Sequence, residues 1–218
     1  MAARGTLDYS LYVITDRALA RGRSHLEVAE AAIAGGANVI QLRDKEASSL
    51  ELYRTGLSIR KIASRAGALF IMNDRADIAL AVNADGVHLG QDDLPLPSAR
   101  RLLGPEKIIG VSVENPEQVA IAESQGASYV AIGPIYEARN SKTDAGPPVG
   151  PQAIAAIRRM TRLPIIAIGG IKAHHIAEVI GAGADSVAVI SAVVSAPDVK
   201  SAAADLRQRI SSARRAYV

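Results

Sequence analysis

The chain has 218 residues but no cysteine, no tryptophan and one phenylalanine, and aromatic residues make up only 3%. Without cysteine there can be no disulfide, no thiolate nucleophile and no cysteine-ligated zinc or redox centre, which suits a reducing compartment. The shortage of aromatics means that a core must be built from Ala, Val, Ile and Leu, the usual content of buried parallel strands and the helices that cover them. No apolar run approaches the ~20 residues of a membrane span. The opening Met1-Ala-Ala-Arg-Gly5 also lacks the apolar centre of a signal peptide. A large excess of one charge is absent as well. Lys and Arg number 25 against 22 Asp and Glu, a formal +3, and the signs are interleaved. The densest basic stretches, Arg158-Arg159 and Arg214-Arg215, are short. Such charge reads as solvated helix face, and the expectation is a cytoplasmic protein with neither nucleic acid nor membrane as partner.

What is present is a hydrophobic share of 49%, enough to exclude disorder, arranged as a repeat. Small residues precede short apolar runs again and again. Examples are Gly35-Gly36-Ala37-Asn38 before Val39, Asn83-Ala84-Asp85-Gly86 before Val87, Gly126-Ala127-Ser128 before Tyr129, and Gly181-Ala-Gly-Ala-Asp185 before Ser186. Glycine just past a helix accepts the left-handed conformation that closes it, after which the chain enters a strand. The runs are Leu11–Ile14, Val39–Leu42, Ala68–Met72, Val87–Leu89, Ile108–Val111, Tyr129–Ile132, Ile165–Ile168 and Val187–Ile190. Helix-like segments follow each. Their apolar faces are read as Leu26, Ala29 and Ile33; Leu50, Tyr53 and Leu57; Val119 and Ala122; and Ile154 and Ile157. Asn115-Pro116-Glu117 and Gly150-Pro151-Gln152 are expected helix starts. This alternation predicts one (β/α)₈ TIM barrel over residues 1–218, with an open doubly wound sheet as the runner-up.

In such a barrel the site lies at the carboxyl face, where the loops after each strand meet. Polar residues gather at those positions. After the second run come Gln41, Arg43, Asp44 and Lys45; after the third, Asn73 and Asp74; after the fourth, Gln91, Asp92 and Asp93; the fifth ends near Ser112. The sixth opens a long loop, Gly133 to Gly150, containing Arg139 and Lys142, and the last two end in Gly169-Gly170 and Ile190-Ser191. Neighbouring parallel strands would bring Asp74 and Asp93 side by side. Carboxylates so placed repel unless a cation or proton sits between them, and hard oxygen ligands suit Mg²⁺. Arg43 and Lys45 are either a solvated rim pair or, opposite those acids, the cationic half of a magnesium–diphosphate clamp. Gly169-Gly170 is either a tight turn or, with Ser191, a phosphate cradle of backbone N–H groups. His88 reads as a satisfied core or rim residue, His25 opens a helix, and the adjacent His174 and His175 make a poor metal pair. No Gly-x-Ser-x-Gly, P-loop or correctly ordered dinucleotide loop occurs.

Several pieces, in order along nearly the whole chain, resemble the thiamine-phosphate synthase family. They are Leu11-Tyr-Val-Ile-Thr-Asp16, Gln41-Leu-Arg-Asp-Lys45, Asn73-Asp74, Gly86-Val-His-Leu-Gly-Gln-Asp-Asp93, Gly110-Val-Ser112, Gly133-Pro-Ile-Tyr136, Ile168-Gly-Gly-Ile171 and Ile190-Ser191. The resemblance implies a (β/α)₈ transferase that joins 4-amino-5-hydroxymethyl-2-methylpyrimidine diphosphate to a thiazole phosphate, releasing pyrophosphate and leaving thiamine phosphate. It implies pyrimidine diphosphate contacts at Gln41, Arg43, Lys45, Asn73 and Lys142, and Mg²⁺ ligands at Asp74 and Asp93. It places the thiazole phosphate on Gly170, Ile190 and Ser191, with Ser112 near the leaving group. After Gly-Pro-Ile-Tyr the family shows Pro-Thr-x-Thr-Lys, whereas this chain reads Glu137-Ala-Arg-Asn-Ser-Lys142. Ser141 and Lys142 stand for the last Thr-Lys, and the earlier Thr has no counterpart. A related thiazole tautomerase would need a histidine after the fifth strand, where this chain has Ser112-Val-Glu-Asn115. A non-catalytic barrel that binds thiamine precursors is the remaining rival.

Overall fold

Short runs rich in Ile and Val cannot stand alone in water, and here they are buried by pairing. The computed structural model describes residues 8–138 and 146–216. Eight strands alternate with helices: β1 (Leu11–Ile14), β2 (Val39–Leu42), β3 (Leu69–Asn73), β4 (Gly86–Leu89), β5 (Ile108–Val113), β6 (Tyr129–Ile132), β7 (Ile165–Ile168) and β8 (Ser186–Val189). Each strand pairs in parallel with the next, and β8 pairs with β1, so the sheet closes into a barrel. Closure settles the choice of topology in favour of the TIM barrel over the open sheet. β1, β2, β6 and β7 fall on the expected bounds, while β3 and β5 run on to Asn73 and Val113. Their polar ends stay in the ladder, Asn73 opposite His88 and Ser112 opposite Ala131.

The outer layer consists of α1 (His25–Ala34), α2 (Ser49–Ala66), α3 (Ala76–Ala81), α4 (Leu96–Leu103), α5 (Pro116–Ser124), α6 (Pro151–Arg158), α7 (Ile176–Gly181), α8 (Ser191–Val194) and α9 (Val199–Ala216). Ser24 and Ser48 start α1 and α2 with capping boxes closed by Glu27 and Glu51. The two starts expected from Asn-Pro and Gly-Pro are those of α5 and α6. Asn115 Oδ1 accepts from Gln118 N at 2.9 Å, a cap worth about 1 kcal/mol. Among the described residues no helix is long and apolar enough to cross a membrane.

One helix face differs from expectation. Leu50, Tyr53 and Leu57 do share a side of α2, but they are 55%, 37% and 44% exposed. The buried side is Leu52, Gly56, Ile59 and Ala63. Gly56 explains the choice: a Cβ there would lie 3.2 Å from Val82 and 3.3 Å from Met72. Close packing selects the side with the small residues, and the bulkier side chains are left outside. Of the other expected faces, Ala29, Val119, Ala122, Ile154 and Ile157 are buried between helix and barrel, whereas Leu26 and Ile33 are only partly buried against the same core and Val28 and Ala32 take the innermost places on α1.

The small-residue repeat has a polar function as well. The residue immediately before each even-numbered strand accepts the N–H of a residue near the start of the strand before it. Leu11 N donates to Asn38 Oδ1 at 3.2 Å, Phe70 N to Asp85 Oδ2 at 2.8 Å, Ile109 N to Ser128 Oγ at 3.1 Å and Ile165 N to Asp185 Oδ2 at 2.8 Å. Backbone donors at the amino end of the barrel are thereby satisfied four times over. Arg60 Nη1 reaches the same Asp85 oxygen at 2.6 Å, and Arg158 Nη1 reaches Asp185 at 2.7 Å.

Candidate active site

At the opposite, carboxyl end the strand ends enclose a cavity of about 860 Å³. That volume lies within the range of small-ligand sites. Gln41, Arg43 and Lys45 from β2 and its loop line it, with Asn73 and Asp74 from β3 and Asp93 beyond β4. Ser112 of β5, Gly170 beyond β7, and Ile190 and Ser191 beyond β8 complete the wall. Every expected site residue that the structure describes therefore faces one space. Ser141 and Lys142 lie outside the described residues, as does Arg139.

Arg43 is held rather than adrift. Arg43 Nη1 donates to Asp16 Oδ2 at 3.1 Å, and its side chain is only 17% exposed. Its backbone N donates to Thr15 Oγ1 at 3.4 Å. Thr15 in turn lies 2.8 Å from His25 Nδ1, whose Nε2 is 3.0 Å from Asp44 Oδ2. Burial works against the Asp44 charge, but the His25 hydrogen bond, the Glu46 N–H and Arg17 outweigh it and keep this carboxyl below its ordinary range. The loop bearing Arg43 is thus braced from beneath, and Lys45 stands exposed at the rim. A merely solvated rim pair would need no such bracing.

The acids sit opposite. Asp74 adopts φ +59°, the left-handed region, which costs an L-residue roughly 1–2 kcal/mol and which Asp tolerates better than most. Its N–H donates to His88 O at 2.8 Å, locking that turn against β4. Asp93 folds back so that its Oδ2 accepts Gly90 N at 2.6 Å. Burial first, then the hydrogen bond and negative charge of Asp93, push the Asp74 carboxyl up to about 6, while Lys45 and Arg43 pull it the other way. Two like groups held together at such a cost form a donor set suited to Mg²⁺, which takes a few carboxylate oxygens and fills its other positions with water and phosphate oxygens. No group of three or more acidic, histidine or cysteine ligands occurs among the described residues, so the pair fits an ion shared with a phosphate better than a metal caged by protein.

The remaining wall is backbone. Gly169 and Gly170 have φ of +95° and +65°, and a Cβ on Gly170 would meet Glu137 O at 2.6 Å and Tyr136 C at 2.7 Å. Glycine is required there for both reasons. Ser191 opens α8 after the neighbouring strand β8 and lines the same cavity, and the first-turn N–H groups of a helix have no carbonyl within the helix to bond. Such N–H groups are natural partners for an anion.

One part of the site has no obvious mark in the sequence. Gln41 Nε2 donates to Tyr12 OH at 2.7 Å, which is 3.0 Å from Tyr129 OH. Tyr129 OH is 3.0 Å from His88 Nδ1, and His88 Nε2 is 3.0 Å from Ser112 Oγ. His88 is hydrogen-bonded as expected, but it also lines the cavity. Gly110 makes room for this chain: a Cβ on it would fall on the Tyr129 ring. The available signal was the presence of polar residues at inward positions of otherwise apolar strands.

Comparison with known proteins agrees with the geometry. A family model described as thiamine monophosphate synthase matches residues 11–193. The thiamine-phosphate synthase of Methanoculleus marisnigri is 51% identical over 208 residues, covering 95% of this chain and 98% of that protein. That of Methanoregula boonei is 54% identical over 207 residues, covering 95% of each. In structure, the thiamine phosphate pyrophosphorylase of Pyrococcus furiosus overlays with a TM-score of 0.87 at 39% identity, covering 95% of this chain and 98% of that one. Likeness of this degree, spanning the barrel from the first strand to the last, is more than a shared fold. The chain belongs to the thiamine monophosphate synthase family.

Proposed function

We propose that this chain is a thiamine-phosphate synthase: it joins 4-amino-5-hydroxymethyl-2-methylpyrimidine diphosphate to a thiazole phosphate, yielding thiamine phosphate and pyrophosphate. The observation that carries this is the meeting, in one cavity, of a braced cation, a strained carboxylate pair and a glycine cradle. Two anionic groups can be held at once, a diphosphate between Arg43, Lys45 and the acids, and a monophosphate at Gly170 and Ser191.

The reaction breaks the C–O bond between the pyrimidine methylene and its diphosphate, and the electron pair leaves with the diphosphate. The thiazole nitrogen then donates its lone pair to the methylene carbon. No protein nucleophile is needed. Asp74 and Asp93 would hold Mg²⁺, which would supply Lewis-acid neutralisation of the diphosphate charge. Arg43, fixed by Asp16, and Lys45 face the same oxygens and oppose the charge that builds on them. Ser112 stands near the breaking bond, and Gln41 and Asn73 orient the pyrimidine. Gly170, Ile190 and Ser191 hold the second substrate in line, which removes much of the entropic barrier to a two-substrate reaction. The buried strand floor of Ile14, Ala131 and Ala188 keeps the reacting carbon away from bulk water. Incubating the purified protein with both precursors and Mg²⁺ tests the assignment. Thiamine phosphate and pyrophosphate in equal amounts are expected, and binding of the precursors without product would favour the sensor alternative.

A further inference from the structure

The hydrogen-bond chain from Gln41 to Ser112 has a direction that can be worked out from donor chemistry. It crosses the barrel through β2, β1, β6, β4 and β5. Its two tyrosines, Tyr12 and Tyr129, are 1% and 0% exposed and do not line the cavity. The amide nitrogen of Gln41 can only donate. The Tyr12 oxygen accepts that bond at 2.7 Å, so its own proton must go to its other partner among the described residues, Tyr129 OH at 3.0 Å. A buried hydroxyl proton without an acceptor is strongly disfavoured. Having accepted from Tyr12, Tyr129 directs its proton to His88 Nδ1 at 3.0 Å. That nitrogen must then be bare, and the ring carries its hydrogen on Nε2, which donates to Ser112 Oγ at 3.0 Å. An imidazolium at His88 would reverse the middle of the chain and leave the Tyr12 proton stranded in the core. With its oxygen engaged by His88, Ser112 has its own proton left to point into the cavity it lines.

We propose that this chain is polarised from Gln41 to Ser112, and that Tyr12, Tyr129 and His88 are positioning residues which present the Ser112 hydroxyl as a hydrogen-bond donor to the departing diphosphate. The inference rests on the function proposed above. No proton changes hands: Ser112 keeps its hydrogen and shares it with an oxygen that gains negative charge as the C–O bond breaks. A donor aimed beforehand at that oxygen stabilises the transition state more than the ground state. The same chain sets the Gln41 amide, so the groups at its two ends are aligned by one network.

Two measurements decide it. The first needs no activity: in protein labelled with ¹⁵N-histidine, the ring signals of His88, assigned by their loss in His88→Gln, report the tautomer at neutral pH. The neutral Nε2–H form is expected, and the Nδ1–H form or an imidazolium overturns the polarity. The second is a double-mutant cycle on turnover. Tyr129→Phe keeps the ring over Gly110 and removes only the hydroxyl, and it is expected to lower kcat about 10-fold while changing KM by less than about twofold. In a Ser112→Ala background the same substitution is expected to have no further effect on kcat. Independent, multiplying losses would mean that Tyr129 acts only by supporting the fold, and would overturn the relay. A wild-type protein that makes no thiamine phosphate defeats the proposed function instead, while the tautomer stays readable on its own.

Discussion

The two ends of this barrel solve opposite problems with similar residues. At the amino end Asp85 and Asp185 each meet a strand N–H and an arginine, so their charges are matched. At the carboxyl end Asp74 and Asp93 meet one another, and the Asp74 carboxyl is pushed up to about 6. The amino end repeats every second strand, whereas the carboxyl end follows no such period: cations come from one loop, acids from two others and glycines from a fourth. A regular, satisfied rim holds the strands in place. An irregular one, with its two acids against each other and Lys45 exposed, keeps charge for something that arrives from solution.

Mutations can break that contrast from either side. The largest effect is expected from Asp74→Ala and Asp93→Ala. Each should lower pyrophosphate release by about 10³-fold while shifting the melting temperature little. Near-normal rates at limiting Mg²⁺ would remove the metal assignment. Arg43→Ala comes next, with turnover down about 10²-fold and stability barely changed. A destabilised but fully active variant would return Arg43 to the role of rim charge. Asp85→Ala should do the reverse, losing about 1–3 kcal/mol of stability in urea melts with kcat unchanged. A loss of turnover there at temperatures where the protein remains folded would blur the division between the two ends.

The smallest effect concerns pH. The folded-state value of Asp74 lies above the ordinary 3.8, at about 6, so the folded protein holds this proton more tightly than the unfolded chain does. Below about pH 4 the group takes nothing from stability, and as pH rises through about 6 the full cost of the buried charge appears. Asp74→Asn should therefore raise the melting temperature of metal-free protein at about pH 8, and the gain should vanish near pH 4. At the proposed site Mg²⁺ would compete with that proton, so calorimetry should find it bound more tightly at about pH 8 than at pH 5. Equal affinity at both values would separate Asp74 from the metal.

Much of the architecture was legible because Ile, Val and Ala runs were almost the only material for a core, and their spacing admitted few topologies. Polar clusters after each run marked Arg43, Asp74, Asp93 and Ser112 as neighbours once a barrel was assumed. Two things escaped. The inner side of α2 was misread because hydrophobicity favours Leu50, Tyr53 and Leu57, while packing distance favours Gly56 and Ala63. The Tyr12–Tyr129 contact joins positions 117 residues apart. Which inward side chains meet across a closed sheet depends on the stagger of its strands, which no local pattern encodes. The support of Arg43 by Asp16 and of Thr15 by His25 escaped for the same reason.

The bonds made by Asn38, Asp85, Ser128 and Asp185 tie strands in twos, so the natural building block is a pair. A circular permutant opened at residues 104–107 would keep every tie within one continuous stretch of chain. One opened at 125–127 would divide the Ile109–Ser128 tie between its new ends. The first should refold as readily as the parent and the second more slowly, which makes the order of assembly of this barrel something that can be chosen by where the chain begins.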